Sequence, residues 1–227
     1  FESLRADALN PKNMPNLTRE AEGCIAPKRH YSTGNTSTIG AWGFVHGLNS
    51  YYFQATREVG MSPLSLGVLG KLGYRRKVWF TEDLRKWDKT FDRLFKSGTD
   101  ALHMATSTTK AGREIALVDA FTKELKADKE SSPRLDYLVL YATHYQYFYP
   151  DKFARHQPTT ALGYSLNSGF ADDDRKHKEK IHNRYLNAVE FADHQLGQIF
   201  AALRVSGRLK DTIVVIAGDH GEEFWEH

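Results

Sequence analysis

The chain has 227 residues, 41% of them hydrophobic, which is enough to bury one sizeable core and too apolar for a disordered chain. Lys and Arg number 31 against 28 Asp and Glu, a formal charge of +3, so the chain lacks the strong basic footprint of a nucleic-acid binder and keeps at most a weak attraction to anionic surfaces. Its one cysteine, Cys24, excludes an internal disulfide framework and a four-thiolate zinc site.

Taken in chain order, Phe1-Glu2 reads as the stump of a first strand, and the chain carries no initiator Met. Ile39 to Leu48 is an apolar stretch that reads as a helix, preceded by the hydroxyl-rich Ser32 to Thr38. Pro63 to Leu72 predicts a helix and Tyr74 to Thr81 a strand. Gly112 to Lys126 again has helical spacing, and Asp136 to Thr143 (DYLVLYAT) reads as a buried strand. From about Arg175 to Val205 a long helix is expected, since Ile181, Leu186, Val189, Leu196, Phe200 and Leu203 recur on one face. Asp172-Asp173-Asp174 would start it and Gly207 would stop it. Thr212 to Gly218 (TIVVIAG) predicts a last strand, central like the one before it. No apolar run approaches the roughly 20 residues that span a bilayer. Both ends look cut, and the chain reads as an excised, soluble fragment.

Strands alternating with helices imply an α/β fold, a mostly parallel central sheet with helices on both faces. In such sheets ligands sit beyond the carboxyl ends of the strands. There the sequence places Phe1-Glu2, then Thr143-His144-Tyr145, then Asp219-His220-Gly221-Glu222-Glu223. Carboxylate, imidazole and carboxylate would thus share one crevice, a donor set suited to a divalent metal. An Asp-His turn with a solvated acidic tail is the plainer alternative for the last segment.

The wider pattern resembles the alkaline phosphatase/sulfatase superfamily. Glu2-Ser3-Leu4-Arg5-Ala6-Asp7 is similar to the segment that ends the first strand in sulfatases, Pro15-Asn16-Leu17 and Glu22-Gly23 to their short helix and turn, and Asp219-His220-Gly221-Glu222 to their late metal motif. The resemblance spans essentially residues 1–227, a single, truncated catalytic domain. Cys24 lies in CIAPKR, one residue too long for the C-x-P-x-R of sulfatases proper, and reads as a small apolar residue. Counting about thirteen residues forward from Gly23 reaches Thr36 in Gly34-Asn35-Thr36. That phrase is similar to the Gly-x-Thr of lipoteichoic acid synthases and phosphoethanolamine transferases. The run HYSTGNTSTIGAWGFVHGL also looks like inner-membrane sulfatase-like envelope proteins tied to lipopolysaccharide control.

The resemblance implies Glu2, Thr36, Asp219 and His220 as ligands of one divalent metal, zinc or manganese rather than magnesium. Thr36 would be the nucleophile at a helix N-terminus, and His144 would hold the substrate phosphate or protonate the leaving group. Counting back from Gly47 selects Ser37 instead of Thr36. The expected activity is phosphoryl or phospho-head-group transfer or hydrolysis on phosphate esters or phospholipid and lipopolysaccharide head groups. The expected place is the periplasmic face of a bacterial inner membrane, membrane-proximal through segments outside this chain. An inactive module that binds lipid or a membrane partner is one alternative, and a sulfatase acting on sulfate esters is another.

Overall fold

The computed structural model of the chain describes residues 1–81, 89–161 and 177–226. Seven helices are described: α1 (Pro15–Glu20), α2 (Ser37–His46), α3 (Phe53–Glu58), α4 (Leu64–Lys71), α5 (Lys89–Lys96), α6 (Lys110–Ala127) and α7 (Lys178–Val205). Strands β1 (Arg75–Phe80), β2 (Ala101–Met104) and β3 (Arg134–Val139) form a parallel sheet in the order β2-β1-β3. In register, Lys77 lies opposite Ala101 on one side and Asp136 on the other.

Successive side chains of a strand point to opposite faces, and β1 shows what this does to the core. Val78 and Phe80 share a buried cluster with Ala41, Trp42 and Val45 of α2 and with Leu94 and Phe95 of α5. Trp79, between them, joins Leu117, Val118 and Phe121 of α6 and Ile199, Phe200 and Leu203 of α7. Helices therefore cover both faces, and each buried large side chain adds about 1.5–3 kcal/mol. The α/β architecture expected from the alternation is the one observed.

β1 falls within its predicted span, β3 begins two residues before the predicted Asp136 and ends at Val139, four short of Thr143, and β2 is a surprise. Its four residues, ALHM, carry too little pattern to announce a strand; pairing with β1 makes it one. The long helix starts at Lys178, while Arg175 and Asp172 to Asp174 lie outside the described residues. The expected central strand Thr212 to Gly218 needs correction. Residues 213–217 are not in a regular strand, and Ile213 and Val215 are 92% and 69% exposed. Among the described residues no backbone hydrogen bond joins 213–216 to a neighbouring segment. Only the end of this segment is tied in: the Phe1 nitrogen donates to the Ala217 carbonyl (2.8 Å) and Asp219 N–H to that of Phe1 (3.0 Å). Glu2 N–H donates to the Leu140 carbonyl just beyond β3 (3.1 Å). Phe1-Glu2 thus runs between the ends of β3 and of the 213–218 segment, which brings three chain ends to one crevice.

Candidate metal centre

At this crevice Glu2, Asp219 and His220 converge, each offering one ligand atom, all within 4.8 Å of one another. His220 Nε2 lies 3.3 Å from Glu2 Oε1 and 3.8 Å from Asp219 Oδ2. Backbone donors fix the Asp219 carboxylate, since Ser3 N–H (2.9 Å) and His220 N–H (2.8 Å) both reach Oδ1. His220 Nδ1 lies 2.7 Å from the Gly221 carbonyl. A proton on Nδ1 satisfies that carbonyl and turns the lone pair of Nε2 toward the carboxylates, the arrangement of a metal-ligating imidazole. Thr143 Oγ1 donates to the Glu2 carbonyl and anchors the Phe1-Glu2 segment, which is not a regular strand, to the loop that follows β3.

Two glycines allow the close packing. A Cβ on Gly40, in α2, would lie 2.2 Å from the Asp219 carbonyl oxygen, and one on Gly218 would lie 2.5 Å from that of Leu4. Both contacts are backbone and cannot yield, so only glycine lets α2 and the N-terminal segment close around Asp219.

The hydroxyl at the centre is that of Ser37. Its Oγ donates to Glu2 Oε1 at 2.6 Å and lies 3.3 Å from His220 Nε2. Thr36, expected in this place, is the exposed N-cap of α2 and makes no side-chain capping bond. The cause is local geometry. Thr36 still has extended backbone (φ −135°, ψ 147°), Ser37 is the first helical residue, and neighbouring side chains at a helix start diverge by about 100°.

The electrostatics of the cluster are those of a site short of positive charge. Burial opposes ionisation of Glu2, but hydrogen bonds with His220, Asp219 and Ser37 outweigh it and bring its pKa down to about 2. Burial and the charge of Glu2 push Asp219 up to about 7. Burial alone would lower His220, yet its bond to Glu2 and the charge of Asp219 carry it to about 9. Two carboxylates this close, one buried and one half-buried, cannot both stay ionised without a cation or protons between them. Their chemistry, two carboxylates with one imidazole, fits a divalent metal.

His144 flanks the cluster. Its ring stacks on Tyr141 (centroids 4.1 Å, 16°), and Nδ1 lies 3.1 Å from the Tyr145 carbonyl. Burial lowers its pKa, while the charge of Glu2 pulls the other way. Tyr147 hydrogen-bonds Glu222, whose pKa burial raises, so the acidic tail after His220 is partly packed rather than wholly solvated. Thr143 and Glu222 lie in segments the sequence already places at the crevice, but their support, like that of Tyr147, comes from contacts with residues distant in sequence. Cys24 is exposed and lies outside the cluster.

The sulfatase family model matches residues 1–227. The chain belongs to the sulfatase family. Among curated relatives it is 22% identical over 223 residues to the inner membrane protein YejM of Salmonella typhi, covering 96% of this chain and 32% of that one. The chain thus spans about a third of that relative. Among solved structures, the C-terminal periplasmic domain of phosphoethanolamine transferase EptC from Campylobacter jejuni superposes with a TM-score of 0.62 at 18% identity, over 91% of this chain and 62% of that one. The corresponding Escherichia coli EptC domain, in complex with zinc, gives 0.67 at 16% identity, over 100% and 63%. A protein of the alkaline phosphatase superfamily from Vibrio parahaemolyticus gives 0.66 at 20%, over 100% and 54%. At these identities the likeness is one of fold, and the fold is alkaline-phosphatase-like. No helix among the described residues is long and apolar enough to cross a membrane.

Proposed function

We propose that this chain carries the catalytic centre of a metal-dependent phosphoryl or phospho-head-group transferase or hydrolase, with Ser37 as nucleophile. The observation that carries the reading is the Ser37 hydroxyl held 2.6 Å from Glu2 and 3.3 Å from His220, with Asp219 completing the group. Glu2, Asp219 and His220 would hold the metal, zinc or manganese in preference to magnesium because one donor is an imidazole. When bound, such an ion lowers the pKa of an adjacent hydroxyl and offsets charge on a phosphate oxygen.

The residues themselves divide the remaining work. Ser37 Oγ forms a bond to phosphorus as the bond to the leaving oxygen breaks, and its proton departs along the existing hydrogen bond to Glu2 Oε1. His144 has Nδ1 against the Tyr145 carbonyl, which would leave Nε2 for the reacting group. Because burial keeps it largely neutral, it is suited to take the proton of the incoming water or acceptor alcohol that resolves phospho-Ser37. In its protonated form the same residue gives its proton to the departing alcohol in the first half-reaction, and the incoming water restores that proton in the second. The envelope enzymes of the same fold support a phosphate ester or phospholipid head group as substrate, and an extracytoplasmic, membrane-proximal location.

The test is to load the protein with zinc or manganese, supply a generic phosphodiester, and look for turnover and for a phosphopeptide containing Ser37. Turnover that disappears in Ser37→Ala supports the proposal. Absence of both turnover and phosphoenzyme, with tight binding to anionic vesicles, would replace it with the lipid-binding module.

A further inference from the structure

Lys110 opens α6, with its ammonium 4.4 Å from the centroid of the Phe148 ring and 5.8 Å from that of Tyr141. Tyr141 is the ring on which His144 stacks. Ammonium, phenol and imidazole therefore form a short column, whose imidazole end feels the charges of Glu2 and His220.

What distinguishes this lysine is its missing counter-charge. Other cations near the sheet are neutralised: Arg75 by Asp128, Arg76 by Asp100 and Arg134 by Asp136. Lys77 is the direct comparison, since it too sits over a ring, 4.1 Å from Trp79, but its ammonium is paired with Glu124. Among the described residues no carboxylate pairs with Lys110. A cation–π contact contributes about 0.5–1 kcal/mol at an exposed site, and it positions an ammonium without cancelling its charge. With aromatic rings on one side, its three N–H donors are left for a partner on the other. The charge is felt at His144, whose protonation it disfavours.

We propose that Lys110 is a specificity-determining residue, a fixed and uncompensated cation that binds an oxyanion of the substrate, a phosphate or sulfate oxygen, beside His144. The inference deepens the phosphate-ester reading above and rests on it. Glu2 and Asp219 make one wall of the crevice negative, which would repel a phosphate oxygen approaching without a cation. Lys110 supplies positive charge at the His144 end, so the two ends together orient a phosphate group with its oxygens toward Lys110.

The experiment is calorimetric titration of the zinc-loaded protein with inorganic phosphate, comparing wild type, Lys110→Met and Lys110→Arg. Met keeps an apolar stem for the Phe148 ring while removing the charge. Lys110→Met should weaken phosphate binding by about tenfold or more, as expected for losing a hydrogen bond to a charged group. It should also flatten the salt dependence of binding, whereas Lys110→Arg should stay within about threefold of wild type. Equal affinity in wild type and Lys110→Met overturns the role of Lys110 and leaves the phosphate-ester reading standing. If the zinc-loaded wild type binds no phosphate, both fall. Should Lys110→Met not fold, the ε-methylene NMR signal of Lys110 in wild type decides: a saturable shift on adding phosphate supports the proposal, and an unmoved signal sinks it.

Discussion

Ser37, the first residue of α2, donates a 2.6 Å hydrogen bond to Glu2, 35 positions earlier in the chain. The bond joins a helix N-terminus to the extended Phe1-Glu2 segment, which is not a regular strand, and the neighbouring Thr36 does not make it. Ser37→Ala should lower turnover of a phosphodiester by about a thousandfold or more and abolish the phosphoenzyme, as removal of a nucleophile does. Thr36→Ala should leave turnover within a few-fold of wild type. Mass spectrometry of the trapped enzyme checks the assignment, and a phosphate on Thr36 would reverse it.

The shared charge at Glu2, Asp219 and His220 should make metal uptake pH-dependent. Asp219 keeps a proton up to about pH 7 and His220 up to about pH 9, and both must lose it to become ligands. Zinc or manganese affinity should therefore tighten as pH rises through 7, with proton release measurable by calorimetry in buffers of different ionisation enthalpy. Asp219→Ala or His220→Ala should abolish stoichiometric uptake while the circular dichroism spectrum persists. Uptake independent of pH between 6 and 8 would contradict the arrangement.

Removing the imidazole of His144 tests proton transfer separately from metal binding. His144→Gln should retain the metal and still form phospho-Ser37 from a substrate with an acidic leaving group, but should release phosphate about 100- to 10,000-fold more slowly. Single-turnover kinetics separate the two steps.

Glu114, on α6, is fully buried and accepts the Tyr141 and Ala142 N–H groups at 2.6 and 2.7 Å through one oxygen, so it steers the chain out of β3 toward His144. Burial pushes its pKa up to about 7. A carboxyl raised on folding adds stability that is complete below its unfolded value of about 4.5 and is lost as pH climbs through 7. The urea midpoint should fall between pH 5 and 8, and fall less in Glu114→Gln. Glu114→Ala should lose about 2–5 kcal/mol by orphaning two buried donors.

Asp193, on α7 and 2% exposed, accepts the Asn16 and Leu17 N–H groups at 3.0 and 2.8 Å and so caps α1. Asp193→Ala should destabilise the protein by about 2–4 kcal/mol. Chemical denaturation measures it, and a change under 1 kcal/mol would mean that α1 is capped by solvent.

Much of this was legible in the residues. Period-two and period-3.6 patterns are set by the geometry of strand and helix, so β1, β3, α2, α6 and α7 could be read from short β-branched and aromatic runs and from apolar stripes. The same reading misjudged Thr212 to Gly218, because its pattern describes a strand buried between neighbours, and a segment becomes a strand only where partners supply hydrogen bonds. β2 was missed for the converse reason, since its partner rather than its composition makes it a strand.

At the site, the sequence by itself pointed to the fold class and to Glu2, Asp219 and His220 as a donor set, although in the structure none of the three follows a regular strand. The tertiary structure alone decided which hydroxyl meets them. Thr36 and Ser37 are adjacent and chemically alike, and the difference lies in one backbone step from extended to helical and in the approach of α2 that Gly40 permits. The stacked place of Lys110 was likewise invisible, because a ring and an ammonium 38 residues apart (Lys110 and Phe148) meet only when α6 packs beside the end of β3. Local propensity acts through near neighbours in sequence, whereas a catalytic constellation is a set of distances between distant ones, fixed by packing.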